Sequence, residues 1–321
     1  MALTRRLVLS TALAAVATGA HGATQSFEAF LDGVRAEARR NGISNPTIQR
    51  ALSGIRPSER VLELDRRQPE FTQTWEQYRD ARLSQSRIDG GRRAFADNRA
   101  TLEAVQARFR VSPRVVVAIW GLETNYGGFT GNFNVVESLA TLAWDGRRSA
   151  YFRNELMAAL RILDAGHVTP ERMRGSWAGA MGHPQFMPSN FDRLAVDMNG
   201  DGRRDIWGSI PDALGSIGNY LARSGWREEE LWGREVALPA GFDPEQARRE
   251  NTRPLREWVR MGVRRPDGQP LPALDLEAAI LLPGGPRGQA FAVYPNFNVI
   301  RRYNPSNFYA LVVGMLSDRV A

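Results

Sequence analysis

Residues 115–128 read Val-Val-Val-Ala-Ile-Trp-Gly-Leu-Glu-Thr-Asn-Tyr-Gly-Gly, an apolar run with one carboxylate, Glu123, towards its end. Ser112-Pro113 just ahead is a helix start, because Ser can cap the first free amides and Pro suits the first turn. From Arg114 to about Thr124 apolar residues cover nearly the whole circumference, which predicts a buried helix. Val116, Ile119 and Trp120 lie seven, four and three residues before Glu123 and share its face. Gly127-Gly128 is expected to end the helix in a flexible turn.

A carboxyl placed there resists ionisation. Apolar neighbours desolvate its charged form, and the negative end of the helix dipole disfavours it further. Burial can raise a carboxyl by up to about 3–5 pH units, whereas a helix end contributes roughly 0.3–1 kcal/mol. Desolvation therefore dominates. An acid still protonated near neutral pH can protonate a leaving group, which makes Glu123 a candidate general acid. The stretch also admits a blander reading, a partly exposed helix-end Glu paired with an Arg.

The chain has 321 residues with 43% hydrophobic content, enough for a sizeable core in one large or two smaller domains. Arg5-Arg6, the apolar stretch Leu7 to Ala17 and the small residues around Gly22/Ala23 read as an export signal cleaved near that point. Thr4-Arg5-Arg6-Leu7-Val8 hints at the twin-arginine type. No later apolar run reaches the roughly 20 residues that a membrane span requires. The absence of cysteine excludes disulfides, thiol catalysis, Cys-based zinc sites and lipid attachment through Cys. An exported, disulfide-free chain suits a bacterial periplasm. Net charge is +7, or +5 once Arg5 and Arg6 are lost, which suits an anionic partner such as a cell-wall polymer or a membrane surface. Export argues against nucleic acid.

Phe27 to about Phe109 looks helical and charge-rich, with segments such as Phe27 to Arg40 and Gly91 to Arg108. From Leu231 to about Tyr294, strand-length apolar pieces such as Val236–Pro239, Ala278–Gly285 and Gln289–Tyr294 alternate with Pro and Gly, as in a small β-rich insert. Asn304-Pro305-Ser306-Asn307 then caps a closing helix from Phe308 to about Arg319. The expected fold is α+β, mainly α. Its segments are an export signal at 1–22, an α-helical region at 23–110, a core at 111–230, the β-rich part at 231–295, and a returning segment and helix at 296–321.

Two further motifs carry chemistry. In Gly175 to Ser189, small residues sit beside the hydrogen-bonding Ser176 and Gln185 and the apolar Trp177, Met181 and Phe186. That mixture suits a sugar, with hydroxyls at its rim and C–H faces above and below, although a tight loop with Gln185 bonded to backbone gives the same pattern. In Asp197-Met198-Asn199-Gly200-Asp201-Gly202-Arg203-Arg204-Asp205, side-chain oxygens at positions 1, 3 and 5 with Gly at 6 match the start of an EF-hand calcium loop. The bidentate Glu expected at position 12 is replaced by Gly208, so Asp205 or Asp212 would supply the missing carboxylate. An Asp/Asn/Gly turn without metal is the alternative.

Taken together these residues resemble the lytic murein transglycosylase B family of peptidoglycan-cleaving enzymes. The resemblance spans most of the mature chain and is densest from Val115 to Trp226. It is carried by Ile119 to Gly127, Phe133 to Ala143 with Arg147-Arg148, Ser176 to Phe191, the Asp197 loop, Gly218-Asn219-Tyr220 and Arg302-Tyr303-Asn304. It implies a lysozyme-like helical core flanked by an α-helical domain and a small β-domain, with glycan in a groove between them. Glu123 matches the family's single catalytic acid/base. Ser176, Gln185, Tyr220, Tyr303, Asn304, Tyr78, Arg147, Arg148 and Tyr309 match positions lining the sugar subsites. Asp197, Asn199, Asp201, the Arg203 carbonyl and Asp212 match the calcium loop. Here His183-Pro184 replaces the Tyr-Gly of some relatives, and the metal loop is one residue longer before Asp212. No organic cofactor is expected, a structural Ca2+ is, and no motif argues for anything beyond a monomer.

Mechanistically, ordinary glycosidases need two carboxylates, and no second acid lies near Glu123 in the motif. Glu137, fourteen residues on in a predicted helix, fits a structural role better. A lone acid fits a transglycosylase route to a 1,6-anhydro product, in which the substrate's acetamido group stabilises the sugar cation. A hydrolytic muramidase and a non-catalytic wall-binding protein are the rivals.

Overall fold

The computed structural model describes residues 25–67 and 73–321. The export signal expected at 1–22 lies outside the described residues. The chain forms α1 (Phe27–Arg40), α2 (Asn45–Leu52), α3 (Glu59–Arg66), α4 (Trp75–Arg82), α5 (Gln85–Asp97), α6 (Arg99–Phe109) and α7 (Pro113–Thr124). It continues through β1 (Phe133–Asn134), α8 (Val135–Asp145), α9 (Ser149–Asp164), β2 (Arg174–Gly175), α10 (Pro188–Leu194) and α11 (Ile210–Arg223). The remainder is β3 (Gly233–Val236), β4 (Arg253–Pro254), α12 (Leu255–Arg260), β5 (Glu277–Leu281), β6 (Ala290–Val293), α13 (Pro295–Tyr303) and α14 (Asn307–Ser317). The fold is mainly helical with small antiparallel sheets, as expected.

Local chemistry sets most boundaries. Ser26 caps α1 by accepting from the Ala29 amide, and Arg39 and Arg40 complement the dipole in its last turn. Thr74 and Gln77 form a reciprocal capping box on α4. The helix read from Gly91 to Arg108 is in fact two, α5 and α6. They meet at Asn98, whose side-chain amide donates to the Ala94 carbonyl at 2.9 Å and so competes with the helical ladder.

The helices other than α12 gather into two cores. α4 to α7, α11, α13 and α14 form one, centred on Val115 to Trp120 and Ala310 to Val313. α1 to α3 pack with α8, α9 and the Met173–Phe191 segment in the other. The 23–110 region is therefore not a single packing unit; its first three helices and its last three bury their apolar faces in different places. α7 is buried all round, as its sequence predicts, with α5, α6, α11 and α14 against it.

The β-rich part forms an antiparallel sheet in the order β3-β6-β5-β4. Its alternation serves two cores. Ala279, Leu281, Phe291 and Val293 face the large helical core, while Ala278, Ile280, Ala290 and Ala292 face a small one built on Trp258, Leu255 and Val263. A sheet covered on both faces reads as continuous apolar runs, which is why periodicity marked its strands only by length. The helices α12 and α13, on either side of β5 and β6, were not anticipated.

Candidate active site

Glu123 lies one residue before the end of α7. The helix stops earlier than the glycine pair: Asn125 and Tyr126 already adopt left-handed φ values of 50° and 59°, ahead of Gly127 at 84°. Ser112 places no side-chain hydrogen bond on the first turn, contrary to expectation; Pro113 starts the helix. Gly127 is required by packing as well as by φ, because a Cβ there would lie 2.3 Å from His183 Cε1.

The carboxyl of Glu123 is half-buried at the surface, yet protein surrounds it closely enough to push its pKa up from 4.5 to about 7. Desolvation is the larger cause. The hydroxyl of Tyr309 donates to Oε1 at 2.6 Å and opposes it. Tyr309 stands in the first turn of α14, capped by Ser306, and α14 packs directly on α7. Two residues 186 positions apart in the chain, Tyr309 and Glu123, are thus brought together. The alternative of a helix-end Glu paired with an Arg is not what forms, and no other carboxylate perturbs Glu123 among the described residues. Glu137 instead occupies the first turn of α8, its amide held by Asn134 Oδ1 at 3.1 Å.

Aromatic residues build a wall beside the acid. The rings of Tyr220 and Tyr303 are 4.5 Å apart, and Phe186 packs 5.7 Å and 6.0 Å from them. Tyr303 donates to the Pro184 carbonyl at 2.6 Å, and Tyr220 donates to the Arg302 carbonyl. Burial raises the Tyr303 and Tyr309 phenols well above their ordinary value, and proximity to Glu123 adds to it. Tyr78 is buried under the Arg82 guanidinium, 3.6 Å from ring centre, and within the influence of Glu123.

The remaining expected residues are held mainly by the fold. Ser176 closes a turn: its amide donates to the Ala180 carbonyl at 2.8 Å and its Oγ accepts from the Ala180 amide at 3.0 Å. Gln185 adopts φ 51° and donates its side-chain amide to the Thr130 and Gly182 carbonyls at 3.0 and 2.8 Å. Only its Oε1 is left to serve a ligand, as an acceptor. Asn304 Oδ1 accepts from the Ser306 amide at 3.1 Å, fixing the α13–α14 corner. Arg147 and Arg148 clamp the buried Asp65, Arg148 at 2.7 Å, and neither hydrogen-bonds to the residues round Glu123.

One residue in the site was not assigned a role from sequence. His183 Nδ1 accepts from Trp120 Nε1 at 3.0 Å, which fixes the proton on Nε2. Its carbonyl accepts from Thr124 Oγ1 at 3.3 Å and its amide donates to the Ile206 carbonyl at 3.0 Å. Burial lowers its pKa, keeping it neutral. His183 thus ties the acid's helix to the segment following the Asp197 loop. Its place inside the Gly175–Ser189 motif was visible, but no spacing rule connects it to Trp120.

The Asp197 loop is braced by its own amides. Asp197 accepts from Gly200 and Gly202 at 2.6 and 2.8 Å, Asn199 from Asp201 at 3.0 Å, and Asp201 from Arg203 at 2.8 Å. The fully buried Asp212 accepts from the Met198, Asn199 and Asp205 amides. No cluster of three His, Asp or Glu side chains at metal-binding distance forms among the described residues. The oxygen-only donor set on an exposed loop fits calcium in kind, and a carboxylate oxygen that accepts an amide keeps a further lone pair.

Residues 26–318 match the model of the transglycosylase SLT domain family. Membrane-bound lytic murein transglycosylase B of Escherichia coli (strain K12) is 30% identical over 297 residues, 88% of this chain and 80% of that protein. Among solved structures, SltB3 from Pseudomonas aeruginosa in complex with NAG-anhNAM-pentapeptide superposes with a TM-score of 0.90 at 48% identity, covering 92% of this chain and 80% of that one. The Escherichia coli lytic transglycosylase Slt35 in complex with calcium gives 0.76 at 30% identity, with 92% of each chain covered.

Proposed function

This chain belongs to the transglycosylase SLT domain family, and from that premise we propose that it cleaves the β-1,4 bond between N-acetylmuramic acid and N-acetylglucosamine with closure of a 1,6-anhydro ring. It is a lytic transglycosylase acting on peptidoglycan. The observation that carries the finer reading is a lone carboxyl with a pKa of about 7 and a phenol, not a second acid, as its partner.

Glu123 gives its proton to the glycosidic oxygen, and the C1–O bond breaks with the electron pair leaving on that oxygen. The neighbouring acetamido group of the sugar stabilises the cationic centre at C1. Glu123, now a carboxylate, takes the proton of the muramyl C6 hydroxyl, whose oxygen bonds to C1. The acid is regenerated and no water is consumed. A group that must first donate and then accept works best with a pKa near ambient pH. Tyr220 and Tyr303 offer faces for the C–H surfaces of the sugars, and Gln185 Oε1 offers an acceptor for a hydroxyl. Fragments released from purified peptidoglycan should each be one water lighter than hydrolysis products; reducing ends in their place would establish a muramidase.

Tyr309 tunes the acid. Its hydrogen bond favours the carboxylate, so Tyr309→Phe should raise the Glu123 pKa above about 7 and move the alkaline limb of the kcat profile upward. Below the limb, kcat should fall by about 10- to 100-fold, the order of one charge-assisted hydrogen bond at about 1.5–3 kcal/mol. An unshifted limb would remove Tyr309 from the acid's control.

The Asp197 loop would hold calcium through Asp197, Asn199, Asp201 and the Arg203 carbonyl, with Asp212 behind them; the ion would supply rigidity, not chemistry. The protein would act in the periplasm. No helix among the described residues is long and apolar enough to cross a membrane.

A further inference from the structure

A cavity of about 630 Å³ opens beside the aromatic wall, bounded by the last turns of α10, α11 and α13. Arg193, Arg223 and Arg302 line it, with Tyr220 at one side. Each arginine complements the dipole of its own helix, worth about 0.3–1 kcal/mol. That explains each position singly. It does not explain why three cations from three helices share one cavity, since like charges brought together repel.

None of the three forms an ion pair among the described residues, although Arg161, Arg172 and Arg227 each have a carboxylate partner. Arg193 is steadied by Asn190 Oδ1 at 2.8 Å. The Tyr220 phenol is raised by burial, with Arg193 and Arg302 pulling against it, so both cations act on the sugar-facing ring. The Tyr220 hydroxyl also binds the Arg302 carbonyl, which couples the cavity mechanically to the aromatic wall. A neighbouring cavity shares Arg302 and Ser224 and carries one carboxylate, Glu277.

We propose that the Arg193–Arg223–Arg302 cavity is a carboxylate-binding site for the substrate strand, engaging an anionic substituent while Tyr220 and Tyr303 hold the sugar beside it. Planar guanidinium groups suit carboxylates. The glycan presents two such sources: the carboxylates of the peptide stem and, only where no stem is attached, the lactyl carboxylate of the muramyl sugar, which in a stem-bearing sugar is consumed in the amide bond to the stem. The proposal rests on the peptidoglycan reading above.

The test compares wild type with the double variant Arg193→Glu/Arg223→Glu on three substrates: strands with free stem carboxylates, strands with those carboxylates amidated, and strands stripped of stems. Both side chains are exposed, so the variant should fold, and thermal melting checks this. KM on free-stem strands should rise at least about tenfold, with kcat within about twofold. If amidation abolishes the difference between the two proteins, the stem is the ligand; a difference found only on stripped strands makes the free lactyl carboxylate the ligand. Equal KM values for both proteins on all three strands would overturn the proposal, as would the same loss on all three. Failure of wild type to release anhydro fragments would instead overturn the underlying reading. Arg193→Gln/Arg223→Gln should show a smaller rise in the same direction.

Discussion

Glu123→Gln is expected to lower kcat by at least about 10³-fold while leaving glycan affinity within about twofold. General acid–base catalysis by one group contributes about 10²–10⁴-fold, and here the same group serves both proton transfers, which places the loss toward the upper part of that range. Glutamine keeps the shape and an Oε1 acceptor for the Tyr309 hydroxyl, so the wall and the α7–α14 packing should persist. Turnover of muropeptides by the purified variant measures kcat, and binding of the uncleaved strand measures affinity. Turnover at the wild-type rate would mean that some other acid does the work.

The same substitution should change stability in a way that depends on pH. Folding raises the Glu123 pKa from 4.5 to about 7. Between those values the folded state holds a proton that the unfolded state has lost, so wild-type stability falls as pH rises through that window. The shift corresponds to roughly 3 kcal/mol. Glutamine has no proton to lose. Below pH 4.5 the two proteins should melt alike, and above about pH 7 the variant should be the more stable. Parallel melting curves at both extremes would show that burial does not hold the proton.

Much of this was legible in residue spacing, and what escaped did so for physical reasons. The buried helix around Glu123, the closing helix after Ser306 and the strands at 236, 280 and 291 all follow from apolar runs bounded by caps and turns. The lysozyme-like helical core was reached by resemblance, not by periodicity. Tyr309 was reached the same way, because no local pattern links positions 123 and 309. Asn98 was missed as a helix break because its side chain acts through a carbonyl one turn back, which composition does not reveal. At Gln185 both readings of its motif hold in part. Its polarity suggested a ligand, but both of its amide hydrogens go to backbone carbonyls, leaving one acceptor for the groove. The arginine cavity was invisible because its members come from three helices whose C-termini meet only in the fold.

Asp212→Ala is expected to destabilise the protein by about 3–5 kcal/mol, because it removes a buried acceptor shared by three amides. Asp212 sits in the first turn of α11, where the dipole favours a carboxylate. Its Oδ1 accepts from the Met198 and Asn199 amides at 2.8 and 3.3 Å, and its Oδ2 from Asp205 at 2.9 Å. One side chain therefore pins both ends of the loop to the helix. Removing it strands three amides in a buried setting, each costing about 1–3 kcal/mol before relaxation. For a chain of this length the melting temperature should drop by roughly 5–15 °C. Asp201→Ala provides the contrast, since Asp201 is exposed and braces only the Arg203 amide and side chain. It should barely shift melting in chelator but abolish any rise produced by added Ca2+. Asp212→Ala should lower melting in chelator and in calcium alike, because its first task is to hold amides. The disturbance should also reach the acid: the loop runs into Ile206, whose carbonyl holds the His183 amide, and His183 holds Trp120 on the face of α7 that carries Glu123. Unchanged melting in Asp212→Ala would show that the loop is held by something other than this carboxylate.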